Sequence, residues 1–310
     1  MKIPVLVTRR LFPDSERLLS DRFRVIRSTA RAAGALGALV QLTDRVDARF
    51  FDRLPALRVV SQCAVGVDNI DLGEAARRGI AVMNTPGVLT EATADHTWAL
   101  ILAAARRVVE GDRLCRAGRF RGWDLEFMLG ADVSGSTLGI VGPGRIGTAV
   151  ARRAAGFGMT LLCHGRRPLD RAQAATGMRV VSLARLLARS DIVTLHVPAS
   201  AATRHMIGAP ELARMKPGAI LVNTSRGTAV DEKALVTALR AGRPGGAALD
   251  VFEREPAIPA ALKRMRNVVL TPHVASATHR TRALMAGTAA RNLVDYFAGR
   301  PAAGRMVVKG

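Results

Sequence analysis

Eleven residues, Thr137-Leu138-Gly139-Ile140-Val141-Gly142-Pro143-Gly144-Arg145-Ile146-Gly147, constrain the fold more than any other stretch of the chain. Thr137–Val141 reads as a buried strand, the glycines follow at once, and Thr148–Phe157 has helical periodicity. Between a strand and a helix each glycine has a physical task. Gly142 permits a tight turn, Gly144 lets the backbone approach a pyrophosphate, and Gly147 lets helix and strand pack closely. The N–H groups opening the helix, through Arg145 and Ile146, and the positive end of its dipole then face the phosphates. A glycine turn without a ligand is the plainer reading, and the strand-before, helix-after setting favours the dinucleotide.

The rest of the chain agrees with a parallel α/β design. Short apolar runs at Val5–Val7, Phe23–Ile26, Ala38–Gln41, Arg58–Ser61, Ile80–Met83, Thr160–Cys163, Ile192–Leu195, Ala219–Val222, Gly246–Leu249 and Val268–Leu270 alternate with helix-like segments. A length of 310 residues suits two domains. After the break at Asn84-Thr85-Pro86-Gly87, one long helix is expected from Glu91 to about Ala117, with Thr90 as its N-cap. Its centre, Trp98–Ala105, is apolar all round. Periodicity alone leaves open whether that centre is buried inside one subunit or shared with a second.

Composition excludes several classes. No apolar run reaches the roughly 18 residues of a membrane span, and MKIPVLVTRR is no signal peptide. Three scattered cysteines (Cys63, Cys115, Cys163) make neither a disulfide framework nor a metal site and fit a reducing cytoplasm; no metal is expected. The net charge is +21, from 46 Lys+Arg against 25 Asp+Glu. The arginines are spread along the chain, without a basic tail or aromatic interleaving, so a basic solvated surface is favoured over nucleic-acid binding.

The strand after the glycine loop should end in an acid if the adenosine ribose carries a free 2′-hydroxyl. It runs instead into His164-Gly165-Arg166-Arg167-Pro168. A guanidinium fork suits a 2′-phosphate, so NADP(H) is the expected cofactor, with NAD(H) possible. Solvent-facing arginines are the alternative. Three later strands each lead to a reactive residue: Arg226 after Ile220–Asn223, Glu255 after Ala247–Leu249, and His273 after Val268–Leu270. Ligands of open α/β sheets bind at the carboxyl ends of strands, so all three could face one crevice.

With these motifs in hand the chain resembles the D-isomer-specific 2-hydroxyacid dehydrogenases. The resemblance rests on VGVDNIDLGEAARRGIAVMNTPGVLTEATADHT (65–97), TLGIVGPGRIG (137–147), DIVTLHVPAS (191–200), LVNTSRGTAVDE (221–232), AALDVFEREP (247–256) and VVLTPHVASAT (268–278). Within that family it is most similar to the NADPH-linked glyoxylate and hydroxypyruvate reductases, through Gly165-Arg166-Arg167-Pro168 and the missing ribose acid. The resemblance implies a Rossmann domain (85–274) inserted in a flavodoxin-like substrate domain (1–84 plus 275–310), and a homodimer with the long helix at its interface. It implies reduction of a small 2-keto acid to the D-2-hydroxy acid, in the cytoplasm, with no nucleic acid or membrane partner. Arg226 matches the arginine that binds the substrate carboxylate, His273 the general acid/base, and Glu255 its carboxylate partner, which favours imidazolium. Val65 and Gly66 match the loop whose N–H groups hold the substrate. Asp250 matches a nicotinamide-amide contact, Val197 and Pro198 the adenosine wall, and Thr224 and Ser225 the nicotinamide ribose. Trp123–Leu129 matches a segment that reaches toward the partner's active site.

Some features depart from the family pattern: Ala275 where glycine is common, Pro244 where proline is unusual, and a short crossover, Arg27–Gly37. Those eleven residues leave scant room for a helix between parallel strands. Rival readings are an NAD-linked 3-phosphoglycerate dehydrogenase, a phosphonate-type dehydrogenase, and a non-catalytic nucleotide-sensing co-repressor. The last is disfavoured by the expectation that the chain begins and ends with the fold.

Overall fold

A computed structural model describes residues 1–309. The chain divides into two compact units, one made of Met1–Leu89 with the chain from Ala277 onward, the other of Thr90–Ser276.

The first unit holds β1 (Ile3–Val7), β2 (Phe23–Ile26), β3 (Gly37–Val40), β4 (Val59–Gln62), β5 (Ala81–Asn84) and, from the far end of the chain, β13 (Arg305–Val308). Sheet order is β13-β5-β4-β3-β1-β2, parallel except for β13, which runs antiparallel to β5. The first five strands thus follow the 2-1-3-4-5 flavodoxin-like order. Side chains alternate between the faces: Leu6, Val40, Val60 and Val82 enter one core, Val5, Val7, Leu39 and Val59 the other. The helix His279–Phe297 covers the second face with Ala286, Ala289, Ala290 and Leu293. The crossover from β2 to β3 carries a single 3₁₀ turn, Thr29–Arg31, in place of a helix.

The second unit holds β6 (Thr137–Val141), β7 (Thr160–His164), β8 (Arg179–Val180), β9 (Ile192–Leu195), β10 (Ile220–Asn223), β11 (Gly246–Leu249) and β12 (Val268–Leu270). They form one parallel sheet in the order β12-β11-β10-β9-β6-β7-β8, the Rossmann arrangement extended by one strand. The order reverses between β6 and β9, so the carboxyl ends of these strands form the switch-point crevice.

Two expectations need correction. The single helix from Glu91 to Ala117 is two, Thr90–Ala105 and Val108–Arg116, with Arg107 left-handed between them (φ 51°). The Ala105 carbonyl accepts from the Ala131 N–H at 2.8 Å, and Gly130 lies so near it that an added Cβ would stand 2.3 Å from that oxygen. Thr90 lies inside the helix rather than capping it. The apolar centre is buried on one side within its own unit, where Trp98 stacks on Phe157 at 4.6 Å and donates to the Val150 carbonyl and Ile101 is fully enclosed, while Ala99 is exposed and Leu102, Ala103 and Ala104 are half-buried. Strands β8 and β13, both short edge strands, were not foreseen.

Candidate active site

The glycine loop shows why Gly142 and Gly147 are needed. Gly142 has φ 92°, and a Cβ there would stand 2.5 Å from the His196 carbonyl oxygen. A Cβ on Gly147 would stand 2.4 Å from the Gly142 oxygen and 3.0 Å from Ile140, so only glycine lets the helix Arg145–Ala154 sit on β6. Around Gly144 the space is open, with no atom within 4 Å of an added Cβ. Gly144 caps the helix without a side chain, leaving the N–H groups of Arg145 and Ile146 for a ligand. Open space, a helix N-terminus and bare backbone together fit a dinucleotide pyrophosphate.

Beside this loop, β7 ends at His164 with no carboxylate. Gly165 passes against Pro143 of the phosphate loop, where a Cβ would meet the ring at 2.7 Å. Arg166 and Arg167 are exposed. The next acid, Asp170, is committed to a capping box with Gln173. Val197 lies against Gly142 from the loop after β9, and Pro198 is exposed beside it, its carbonyl accepting from Thr203.

At the end of β10, Asn223 organises the turn that carries Arg226. Its side-chain oxygen accepts from the Ser225 N–H (3.0 Å) and hydroxyl (2.8 Å), and its amide donates to the Arg226 carbonyl (2.9 Å). Thr224 is buried, its hydroxyl 2.9 Å from that of Thr97. Arg226 is half-buried, with Nη1 donating to the Ser225 carbonyl. Gly227 then packs on the backbone of Phe252, where a Cβ would overlap the Phe252 carbonyl carbon at 1.9 Å.

His273 follows β12 with φ 54°, a left-handed backbone uncommon for a side-chain-bearing residue. Its N–H donates to the Asp250 carbonyl at 2.8 Å. Its Nδ1 lies 2.8 Å from Glu255 Oε2, while Glu255 Oε1 accepts from the Phe252 N–H at 3.0 Å. The carboxylate fixes Nδ1 as the protonated nitrogen and leaves Nε2 for a reacting group.

Asp250, read as a nicotinamide contact, is wholly enclosed. Its Oδ1 accepts from the Thr271 hydroxyl (2.6 Å) and the Val274 N–H (2.9 Å), and its Oδ2 from the Ala275 N–H (2.9 Å). Burial alone would raise its pKa, but the hydrogen bonds from His96, Thr271, Val274 and Ala275 outweigh burial and hold it below the ordinary carboxylate value. His96 Nε2 lies between the two, 3.1 Å from the Thr271 hydroxyl and 3.4 Å from Asp250 Oδ1. A second pair, His205 with Glu253, and the Glu232 carboxylate, which accepts from the Glu253 N–H at 3.0 Å, hold the loop bearing Glu255.

His96, Thr271, His205 and Glu232 were missed by sequence reasoning because their partners lie 21 to 175 positions away in the chain, and Asn223 because a polar residue at a strand end reads as the start of a loop although its partners are two and three residues on. In the first unit, Val65 and Gly66 lie half-buried just after β4. A cleft of about 390 Å³, bordered by Arg107, Arg113, Gly218, Gly245 and Arg266, lies at the opposite, amino ends of β10–β12, away from these groups. Among the described residues no cluster of three or more His, Cys, Asp or Glu could hold a metal ion, and no helix is long and apolar enough to cross a membrane.

Residues 98–275 match the family model described as D-isomer specific 2-hydroxyacid dehydrogenase, NAD binding domain. The chain is 54% identical over 278 residues to a glyoxylate reductase of Korarchaeum cryptofilum, covering 89% of this chain and 83% of that protein. It is 50% identical over 319 residues to a glyoxylate reductase of Aeropyrum pernix, covering 97% and 95%. Among solved structures it is similar to the NADPH-dependent glyoxylate/hydroxypyruvate reductase of Sinorhizobium meliloti in complex with NADP and malonate. That likeness has a TM-score of 0.91 and 34% identity, over 100% of this chain and 98% of that one.

Proposed function

Because the chain belongs to the D-isomer-specific 2-hydroxyacid dehydrogenase family, a family of oxidoreductases using a nicotinamide cofactor, we propose that it reduces glyoxylate and hydroxypyruvate with NADPH. The observation that carries the chemistry is the His273–Glu255 pair at a strand end, with Nε2 left for a proton donation. When bound, the nicotinamide supplies a hydride to the carbonyl carbon of the keto acid. His273 Nε2 gives its proton to the carbonyl oxygen, and the Glu255 carboxylate at Nδ1 stabilises the imidazolium before the transfer. Arg226 holds the substrate carboxylate with its planar fork and polarises the adjacent ketone. In the first unit the Val65-Gly66 loop offers N–H groups suited to a carboxylate. Arg145, Ile146 and the glycines take the pyrophosphate, Val197 and Pro198 border the adenosine, and Thr224 and Ser225 lie toward the nicotinamide ribose. Asp250 serves the nicotinamide end by fixing the backbone of the loop 271–275. In this reading Thr90–Ser276 is the coenzyme unit and the remainder the substrate unit.

Preference for NADPH is supported by Arg166 and Arg167 at the end of a strand without an acid. A homodimer is supported by an exposed apolar stretch: Phe120, Trp123, Leu125, Phe127 and Leu129 are 57, 83, 76, 42 and 63% exposed. Three free cysteines suit a reducing compartment such as the cytoplasm. Steady-state rates with glyoxylate and hydroxypyruvate, each with NADPH and NADH, test the proposal. No turnover of either acid with either nucleotide would overturn it.

A further inference from the structure

The loop after β4 is held by its carbonyls. Ala64 O accepts from the Thr85 N–H at 2.9 Å, Val65 O from Asn84 Nδ2 at 2.7 Å, and Gly66 O from Gln62 Nε2 at 3.2 Å. Gln62 is fully buried and Asn84 is 7% exposed. The orientation of the Gln62 amide follows from its neighbours. Asn69 Nδ2 donates to the carbonyls of Gln41 (3.1 Å) and Asp44 (2.8 Å), so Asn69 Oδ1 must face Gln62. Gln62 therefore presents Nε2 to it, at 2.6 Å, and to Gly66 O. Val65 O likewise requires the nitrogen of Asn84.

In a trans peptide the C=O of one residue and the N–H of the next point in opposite directions. Three carbonyls tied to the ends of β4 and β5 therefore turn the N–H groups of Val65, Gly66 and Val67 to the other side. Such a run of backbone donors is an anion-binding concavity. The arrangement leaves Gln62 Oε1 and Asn84 Oδ1 buried without a hydrogen-bond partner. An unsatisfied buried oxygen is costly, and both side chains keep one while spending their NH₂ groups on this loop.

We propose that Gln62 and Asn84 are positioning residues for substrate binding: their buried amides grip the Gly66 and Val65 carbonyls so that the loop presents N–H groups to the substrate carboxylate. This rests on the reading that the 65–66 loop receives that carboxylate. Two variants test it. Asn84→Asp replaces the donor with an acceptor facing Val65 O, and Gln62→Met keeps the side-chain length while removing both donors. The readouts are KM for glyoxylate, kcat, and calorimetric binding of oxalate and of NADPH to the full-length protein. The expected result is a rise of about tenfold or more in both the glyoxylate KM and the oxalate Kd, with NADPH binding within about twofold and a smaller change in kcat. A structural defect alone would lower the active fraction without this split. Oxalate and glyoxylate binding unchanged in either folded variant overturns the proposal. If the wild-type protein reduces no keto acid but binds oxalate, and the variants lose that binding, the positioning role stands and the functional reading falls. If it neither reduces keto acids nor binds oxalate, both fall.

Discussion

Replacing Asp250 by asparagine separates the two oxygens that hold the His273 loop. The carboxylate accepts from the Thr271 hydroxyl and Val274 N–H on one oxygen and from the Ala275 N–H on the other. Asparagine keeps one acceptor and converts the other to a donor. Whichever way the amide sits, at least one buried backbone N–H faces an NH₂ group and loses its acceptor. An unsatisfied buried donor costs about 1–3 kcal/mol, and weakening the remaining charge-assisted bonds adds about 1 kcal/mol. A total of about 2–4 kcal/mol corresponds to a Tm drop of roughly 4–16 °C for a domain of this size. The loop carries His273 on a left-handed backbone anchored by the Asp250 carbonyl, so kcat should also fall, by on the order of 10²-fold for a shift of about 1 Å. The folded carboxyl titrates below its ordinary value of 3.8. Its contribution to stability is complete above that value and is lost as pH falls through the lower, folded value. The Tm difference between wild type and Asp250→Asn should therefore be flat between about pH 5 and pH 8. Calorimetric Tm values across that range, with kcat for glyoxylate, test this. A variant within about 2 °C and about threefold of wild type would refute the argument, as would a difference that decays within that range.

Other outcomes follow from the same geometry. Arg166→Ala with Arg167→Ala should lower kcat/KM with NADPH by roughly 10- to 150-fold, the 1.5–3 kcal/mol of a charge-assisted hydrogen bond, and leave NADH little changed; equal losses with both nucleotides would count against a 2′-phosphate site. His273→Gln should lower kcat by about 10²–10⁴-fold without weakening NADPH binding measured by fluorescence, and near wild-type turnover would remove its role as proton donor. Arg226→Ala should lower kcat/KM for every keto acid tested, and selectivity confined to one acid would point to a different anchor. Light scattering at micromolar concentration should give twice the 33.0 kDa chain mass, and Trp123→Asp with Leu125→Asp should give the monomer; a monomeric wild type would end the dimer argument.

Features set by local backbone chemistry were legible in the sequence. The tasks of Gly142 and Gly147 reappear as Cβ overlaps of 2.5 and 2.4 Å, because a turn and a helix–strand contact are decided within a few residues. The two sheets were legible through alternating apolar runs. The Glu255–His273 contact could be anticipated because both residues follow strand ends in one sheet. What could not be read depends on remote partners. The helix break at Arg107 comes from Ala131 capturing the Ala105 carbonyl, and nothing in residues 91–117 encodes it. His96 sits mid-helix among Asp95 and Thr97, and its contact with Thr271 spans 175 positions. Gln62 and Asn84 end apolar strands, where a polar residue reads as the start of a loop rather than as a grip on one. The burial of Trp98 and Ile101 against the helix Arg145–Ala154 depended on which face of the sheet that helix covers.

The first unit is written in two pieces of chain, and this sets an order of events on the ribosome. Its five parallel strands emerge first, but the helix His279–Phe297, which covers Val5, Val7, Leu39 and Val59, emerges only after all of Thr90–Ser276. At about 5–20 residues per second, the intervening stretch of roughly 190 residues takes on the order of 10–40 s to synthesise. For that interval one apolar face of the nascent sheet has only the helix Pro13–Arg22, with its buried Leu19, to cover it, while the second unit already has everything it needs to close its own core. The coenzyme half of the molecule can thus fold co-translationally, and the half that opens the chain must wait for release of its last helix, the period in which the newborn chain most needs a chaperone.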